Sequence, residues 1–540
     1  MRKQERTPAT FHLNEADKKA AVACVAGLLN HDGVSSDDAN DTKLVFEALL
    51  TELSNQGYDE ETTIEVSVRK QLGGLRLIVG FEGKVFLPPS SDDGSRERFI
   101  LCSQGDKISY SYGAGYNTAR IAVSRTYRNS LFLCTLAAAL ALIVCLPITF
   151  LASPSEHETL LNNYILPLEQ LYINAILMVG TPVTLFSLLK NLTDTYIVSE
   201  RHSGIRRLQL KTLASSAFAI VLAIVVAYAI TILLGGLAGY EPEIGGRSPN
   251  MSFAEVVPDL VPSGIFQPFD ELSPIPLIAL SLLVTYALCS VGKYFDLMRT
   301  AVEACYALFS RMLYAVIVAL PFFCFVAMMD VVLDAGYVGF AEVVGYITLA
   351  GLSPIPLLVS YAIRLRMQGV KVIPFVKKLI PLLSENFKIG SAIAAAPFNL
   401  RYCVENFGMD RTRLSRIMPV LAEINLDGNC FILMFIAMML AFFAGVTMPP
   451  ITVALIGLLV MFLSFGAPNQ PGSILIGSLI IATYLHTTTF VLAAVIYVEA
   501  FLGSLLNLIN VTGDIVTAIL HEGGPVLQDT GELGQGGMHD

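Results

Sequence analysis

Pro419-Val-Leu-Ala-Glu-Ile-Asn-Leu-Asp-Gly-Asn429 leads directly into the apolar run Cys430–Val446. Polar side chains and irregular backbone inside a membrane are costly unless they line a site. An Asn, an Asp and a Gly in mid-helix therefore predict a helix that unwinds around an ion. Three further interruptions flank it. Lys388-Ile-Gly-Ser-Ala-Ile-Ala-Ala-Ala-Pro397 lies between two apolar arms, Val376–Leu383 and Phe398–Val404, and suits a re-entrant hairpin over about 376–404. Ser464-Phe-Gly-Ala-Pro-Asn-Gln-Pro-Gly-Ser473 suits a second, over about 451–485. Between Glu499 and Asp514, the residues Asn507, Asn510 and Asp514 are spaced 3 and 4 apart and share one helix face. An apolar helix with one polar face belongs inside a bundle.

Upstream of this region the apolar runs are longer and cleaner. Leu131–Leu151, Ile165–Leu189, Leu213–Leu234, Pro274–Gly292, Met312–Leu333 and Val338–Ile363 each have about the 20 residues that cross a hydrocarbon core. The chain of 540 residues is 54% hydrophobic and 15% charged, with a mean hydropathy of +0.62. A soluble domain carries about 25% charged residues. The composition excludes a simple cytosolic globule and a disordered protein. A net charge of −10, with no basic stretch interleaved with aromatics, excludes a nucleic-acid partner. The charge is concentrated at the start: 31 charged residues fall in the first 107. A polar head is thus joined to a membrane body. The first apolar run begins at Leu131, too late for a cleavable signal peptide. Nine cysteines without a CxxC pair read as small buried side chains, not as a zinc site or disulfide framework. Arg120, Arg125 and Arg128 precede the first run, and Lys190, Arg201, Arg206, Arg207 and Lys211 lie between the second and third. Lys293, Arg299 and Arg311 lie between the fourth and fifth, and Arg364, Arg366, Lys371, Lys377 and Lys378 follow the sixth. The alternate loops are acidic or neutral, with Glu156 and Glu158, then Glu241, Glu243, Asp259 and Asp270, then Asp330 and Asp334. The alternation predicts a multi-pass cell-membrane protein with its N-terminus in the cytoplasm.

Hairpin, broken helix, hairpin, polar helix is the order of an inverted-repeat transporter, where half-helix ends and unwound carbonyls hold ions and substrate at the midplane. At these residues the chain resembles the dicarboxylate/amino acid:cation symporter family, the glutamate transporter fold. Asn425-Leu-Asp-Gly-Asn429 is similar to that family's NMDGT element, and Asn510-Val-Thr-Gly-Asp514 to its NVxGD ending. Pro471-Gly472, Met178-Val-Gly-Thr-Pro-Val-Thr-Leu-Phe-Ser-Leu188 and Ser215-Ser-Ala-Phe-Ala219 resemble its second hairpin, second helix and third helix. The likeness covers roughly 130–522. It implies eight transmembrane helices and two re-entrant hairpins, a homotrimer with a scaffold and a moving part in each subunit, and symport by alternating access without covalent chemistry. It also implies sodium as coupling ion and no other cofactor. One ion would be held by Asn425, Asp427, Ser215 and Ser216, with Thr212 where the family often has Tyr. Another would be held by Asn510 and Asp514, with backbone carbonyls near Leu421 and Asn425. A third would use backbone carbonyls near Glu423 and Ser464–Ala467.

The departures bear on the solute. By resemblance its site comprises Ser391, Asn429, Gly472, Gly503, Leu506, Asn507 and Asn510. Leu506 stands where the family has the Arg that clamps a side-chain carboxylate, and Gly503 where it has the Asp for the amino group. Without the bidentate Arg, selection of a dicarboxylate is lost. A neutral amino acid or a carboxylate other than glutamate or aspartate fits better. Glu423, in place of a Thr, would either carry a proton or pair with a Lys or Arg; Leu433 stands where animal members carry their proton-bearing glutamate. Lys388 reads as a solvated lysine and His486 as a boundary residue.

Residues 1–110 read as a small cytoplasmic α/β domain, followed by a basic linker at 111–129. Helical periodicity covers Ala16–Leu29 and Thr42–Gly57, and strand patterns cover Thr62–Lys70 and Gly74–Phe81. This is similar to the front half of a histidine-kinase-like or anti-sigma ATPase module. Thr51 occupies the magnesium-binding Asn position, and Gly80-Phe-Glu-Gly83 replaces Asp-x-Gly-x-Gly, so a regulatory or partner-docking role is expected. The tail, 523–540, is Gly-rich and expected to be disordered. Two rivals stand beside transport: a sensor that keeps the fold without flux, using the head as output, and a proton-coupled symporter. No Gly-rich phosphate loop, metal cluster or nucleophile–base pair supports an enzyme.

Overall fold

The structure is a computed structural model. It describes residues 9–31, 34, 36–71, 74–86, 98, 100–101, 108–113, 115–123, 130–201, 203–237, 261–270, 274–389, 392–443, 448–466, 472–484 and 489–522. Ser391, Pro471, His486, the loop Ser90–Ser95 and the tail lie outside these residues. The chain divides into two compact units: one comprises Met1–Asn129, the head, together with Ile393–Phe398, and the other Ser130–Ala392 with Asn399–Asp540, the body.

In the head, strand β1 (Ala9–His12) precedes helices α1 (Glu15–His31) and α2 (Ser36–Asn55). Strands β2 (Thr63–Gln71), β3 (Gly74–Glu82), β4 (Ile108–Gly113) and β5 (Tyr116–Ala122) follow. The sheet is antiparallel throughout, in the order β1-β2-β3-β5-β4, with Val66 opposite Val79 and Val79 opposite Ala119. Alternation fixes which face is buried, because successive side chains point to opposite faces. Every second residue of β5 is buried. Val25 and Leu29 of α1, and Phe46, Leu49 and Leu53 of α2, share a core with Val66, Val79 and Ile121. The linker expected over 111–129 is thus corrected: β4 and β5 carry the sheet through Ala122. Arg120, one of the three arginines that gave that stretch its basic character, stands on the less buried side of β5, where its guanidinium donates to Ser111 Oγ (3.2 Å).

The body is helical. Its helices are α3 (Ser130–Leu151), α4 (Pro154–Leu160), α5 (Leu166–Arg201), α6 (Ser203–Leu237) and α7 (Pro274–Ser290). A π-helical turn, Leu161–Ile165, joins α4 to α5. Then come α8 (Phe295–Ile317), α9 (Leu320–Leu352) and α10 (Ile355–Met367). Gly336, at φ 65° and ψ −157°, kinks α9 with a backbone geometry that L side chains avoid. The region of interruptions forms α11 (Val372–Ile389), α12 (Ala392–Phe407), α13 (Arg411–Ile424) and α14 (Asp427–Phe443). It closes with α15 (Pro450–Phe465), α16 (Ser473–Tyr484) and α17 (Thr489–Glu522).

The body encloses one set of apolar helices and turns another outward. Helix α14 is enclosed, with Phe431, Phe435 and Met439 fully buried, while α3 exposes Phe132, Leu136, Leu140, Ile143 and Phe150. On α6, Val221, Val225 and Ile232 also face outward. Apolar surfaces of this extent mark faces that meet a membrane or another protein. Helix α14 packs against α6 and α17, α9 against α3 and α17, and α8 against α5.

Two sets of charges expected in loops lie inside helices. Arg299 and Arg311 belong to α8, and Asp330 and Asp334 to α9. Arg299 is accommodated by pairing with Asp194 (2.8 Å) and with Glu303 one turn on (3.2 Å).

Candidate functional site

The break between α13 and α14 positions the site. Asn425 leaves the helical region at φ −92° and ψ 75°, and its N–H makes the last bond of α13, to Leu421 O at 2.8 Å. The bond occupies a Leu421 carbonyl lone pair and leaves the other. Helix α14 restarts at Asp427, with Cys430 N donating to Leu426 O at 2.9 Å. The interruption swings Asn425 and Asp427 into a buried polar cluster.

Asp427 is wholly buried and accepts from three hydroxyls. Ser215 Oγ donates to Oδ2 at 2.5 Å, Ser216 Oγ to Oδ1 at 2.9 Å and Tyr361 OH to Oδ2 at 3.1 Å. The half-buried Arg364 donates from Nη1 to Ser215 Oγ at 2.8 Å, and its guanidinium also lies over the Phe218 ring, 4.8 Å from the centroid. Helices α6, α10 and α14 thus meet on one carboxylate. On the other side of the break, Asn425 Nδ2 donates to Asp514 Oδ1 at 3.0 Å. Asn425 Oδ1 is buried and has no hydrogen-bond partner among the described residues. An isolated buried carboxylate is very costly, so both acids demand compensation.

Asn510 ties α17 to the start of α14. Its Oδ1 accepts from Gly428 N at 3.0 Å, and its Nδ2 donates to Asn429 Oδ1 at 3.0 Å. A Cβ on Gly428 would stand 2.7 Å from Asn510 Oδ1, so the glycine is what permits this approach. One turn back along α17, Asn507 Nδ2 donates to Asn386 O at 3.1 Å. Asn386 and Asn399 exchange side-chain hydrogen bonds of 2.6 and 3.1 Å between α11 and α12. Leu506 is buried and Gly503 half-buried on α17.

The structure therefore brings together Ser215, Ser216, Asn425, Asp427, Asn429, Asn510 and Asp514, with Leu421 and Asn507 alongside. Thr212 is buried, but its hydroxyl turns back to Gln209 O at 2.8 Å. Gly472, at φ 103°, gives its N–H to Glu499 Oε1 at 2.7 Å. Glu423 lies 3.7 Å from Lys190 Nζ, which also pairs with Asp194 at 3.3 Å. Leu433 packs within α14, facing Gly477 of α16.

The sequence reading gave no site role to Tyr361, Arg364 or Glu499. Tyr361 and Arg364 are three apart near the end of α10, so they share a face. Arg364 reads as a loop charge unless the helix is carried to Met367. Buried Glu499 sits at the N-terminus of α16, accepting from Gly472 N and, at 3.0 Å, from Leu475 N. Its signal was an acid in an apolar helix.

A family model, the sodium:dicarboxylate symporter family, matches residues 131–523. No curated protein matches the chain. The match spans the whole helical body, including the break at Asn425 and the Asn510–Asp514 ending, and the outward apolar helices agree with a multi-pass membrane protein. On that match the chain belongs to the sodium:dicarboxylate symporter family.

Proposed function

We propose that the chain is a secondary transporter that couples inward flux of a small organic solute to a monovalent cation, sodium, by alternating access. The observation that carries this reading is the pair Asn425 and Asp514. A buried carboxylate beside an amide oxygen with no partner is a set of hard oxygen donors that suits sodium. Asn510 and the carbonyls of Leu421 and Asn425 lie on the same elements and would complete it. The helix pairs α11/α12 and α15/α16 are read as the re-entrant hairpins, within a body of eight membrane-crossing helices that assembles as a homotrimer. The N-terminus lies in the cytoplasm, and the head serves as a regulatory or docking module.

The solute is a neutral amino acid or a carboxylate other than glutamate or aspartate, with Leu506 and Gly503 against its body. Asn429, Asn507, Asn510 and the hairpin residues Ser391 and Gly472 would form its polar contacts. The Lys190 pairing supports a structural role for Glu423 and weighs against a proton carrier. One observation favours the sensor reading: Gly472 N–H, a donor for solute, is already held by Glu499. Flux separates the two. Proteoliposomes with an inward sodium gradient should accumulate one member of a panel of neutral amino acids and monocarboxylates, and Asp514→Asn should abolish the sodium dependence. Sodium-driven uptake by Asp514→Asn at normal affinity would rule the site out, and absence of flux for every solute, with sodium binding intact, would favour the sensor.

A further inference from the structure

Two buried carboxylates lie at the helix break, and one built-in cation accompanies them. Arg364 reaches Asp427 through Ser215: the guanidinium donates to Ser215 Oγ, and Ser215 Oγ donates onward to Asp427 Oδ2. The direction of this relay matters. A hydroxyl that accepts from a guanidinium and donates to a carboxylate has one lone pair left, and a metal ion on it would sit beside a fixed positive charge. Ser216 and Tyr361 also donate to Asp427, so the carboxylate already receives three hydroxyl hydrogens. Thr212, the remaining hydroxyl expected on this side, is committed to Gln209 O. Arg364 is held in place by the Phe218 ring and by Tyr361, whose centroid is 5.8 Å away.

The Asp514 side is different. Its described hydrogen bond is the amide of Asn425, and Asn425 Oδ1 is left without a donor. Two carboxylates balanced by one guanidinium leave one negative charge. We propose that Arg364 takes the place of one coupling cation, compensating Asp427 as a tethered charge, so that a single mobile sodium binds, at Asp514 and Asn425. This inference rests on the cation-coupled reading above and refines its stoichiometry: the oxygen set at Asp427 does not fit a second sodium while Arg364 is present.

The test uses the purified full-length protein in detergent, with sodium titrated against choline at constant ionic strength. Bound sodium is counted by equilibrium binding of radioactive sodium, and the thermal midpoint is followed in parallel, since a ligand of the native state raises it by mass action. Wild type should bind one sodium per chain. Arg364→Met should bind two, with a steeper sodium dependence of the midpoint. Arg364→Lys should stay at one, and the Arg364→Met/Asp427→Asn double variant should return to one. Two sodium ions on wild type overturn the inference. So does one sodium on an Arg364→Met protein that melts cooperatively. If Arg364→Met does not fold, the wild-type count and the milder Arg364→Gln decide in the same way. Absence of bound sodium from wild type overturns the cation-coupled reading and this inference together. A normal wild-type count with no gain in the Arg364 variants overturns this inference alone.

Discussion

Gly428 shows how tightly the site is drawn at the scale of single residues. Its N–H meets Asn510 Oδ1 at 3.0 Å, and an added methyl would stand 2.7 Å from that oxygen and 3.0 Å from Ile509 Cγ2. Gly428→Ala should destabilise the body by about 1–3 kcal/mol, the usual cost of overpacking. It should also weaken sodium-dependent stabilisation, both read from thermal unfolding with and without sodium. The residues of this cluster that were legible in sequence are those that violate their surroundings. Asn425, Asp427, Asn510 and Asp514 are polar in apolar context, and Asn510 and Asp514 also share one helix face. Tyr361 was hidden because an aromatic in an apolar helix is ordinary, and Arg364 because a cation near a helix end is ordinary. Only the third dimension shows that both converge on Asp427.

At the scale of elements, Glu499 is the tie between α17 and the start of α16. Its carboxylate accepts from Gly472 N and Leu475 N, where the first N–H groups of a helix lack intrahelical partners and the helix dipole favours a negative charge. Glu499→Ala would leave those donors buried and unmet, at about 1–3 kcal/mol for each orphaned group. The start of α16 should loosen: a Ser473→Cys reporter should react faster with an impermeant thiol reagent, mapped by mass spectrometry, in the Glu499→Ala background. Unchanged labelling would show that the tie does not hold α16. Element boundaries were readable where periodicity was strong, as for α1, β2 and β3. They were misjudged where charge was taken as a sign of a loop. Arg299 lies in α8, because an ion pair across to Asp194 and another to Glu303 let it remain helical. Likewise β4 and β5 were lost in a stretch read as basic linker, since half of β5 faces the polar side of the sheet.

For the whole molecule, two kinds of core coexist in one chain. The head buries apolar residues between helices and sheet, whereas the body buries its polar cluster and turns apolar helices such as α3 outward. A head with its own core should fold without the rest. Residues 1–129 expressed alone should unfold in one cooperative urea transition, and Phe46→Ala should lower its stability by about 3–5 kcal/mol, as for other buried aromatics. A non-cooperative profile would mean that the head depends on the body. The ties at the helix break also set an order on biosynthesis. The Gly428 N–H and the Asn429 side chain emerge from the ribosome some eighty residues before Asn510, their partner, with |i−j| of 82 and 81. Until α17 has been added, the start of α14 carries polar groups whose partner does not yet exist. The nascent protein therefore holds an unfinished centre while those eighty or so residues are added, and a chain truncated between Asn429 and Asn510 should be a product that the cell's membrane proteases recognise as incomplete.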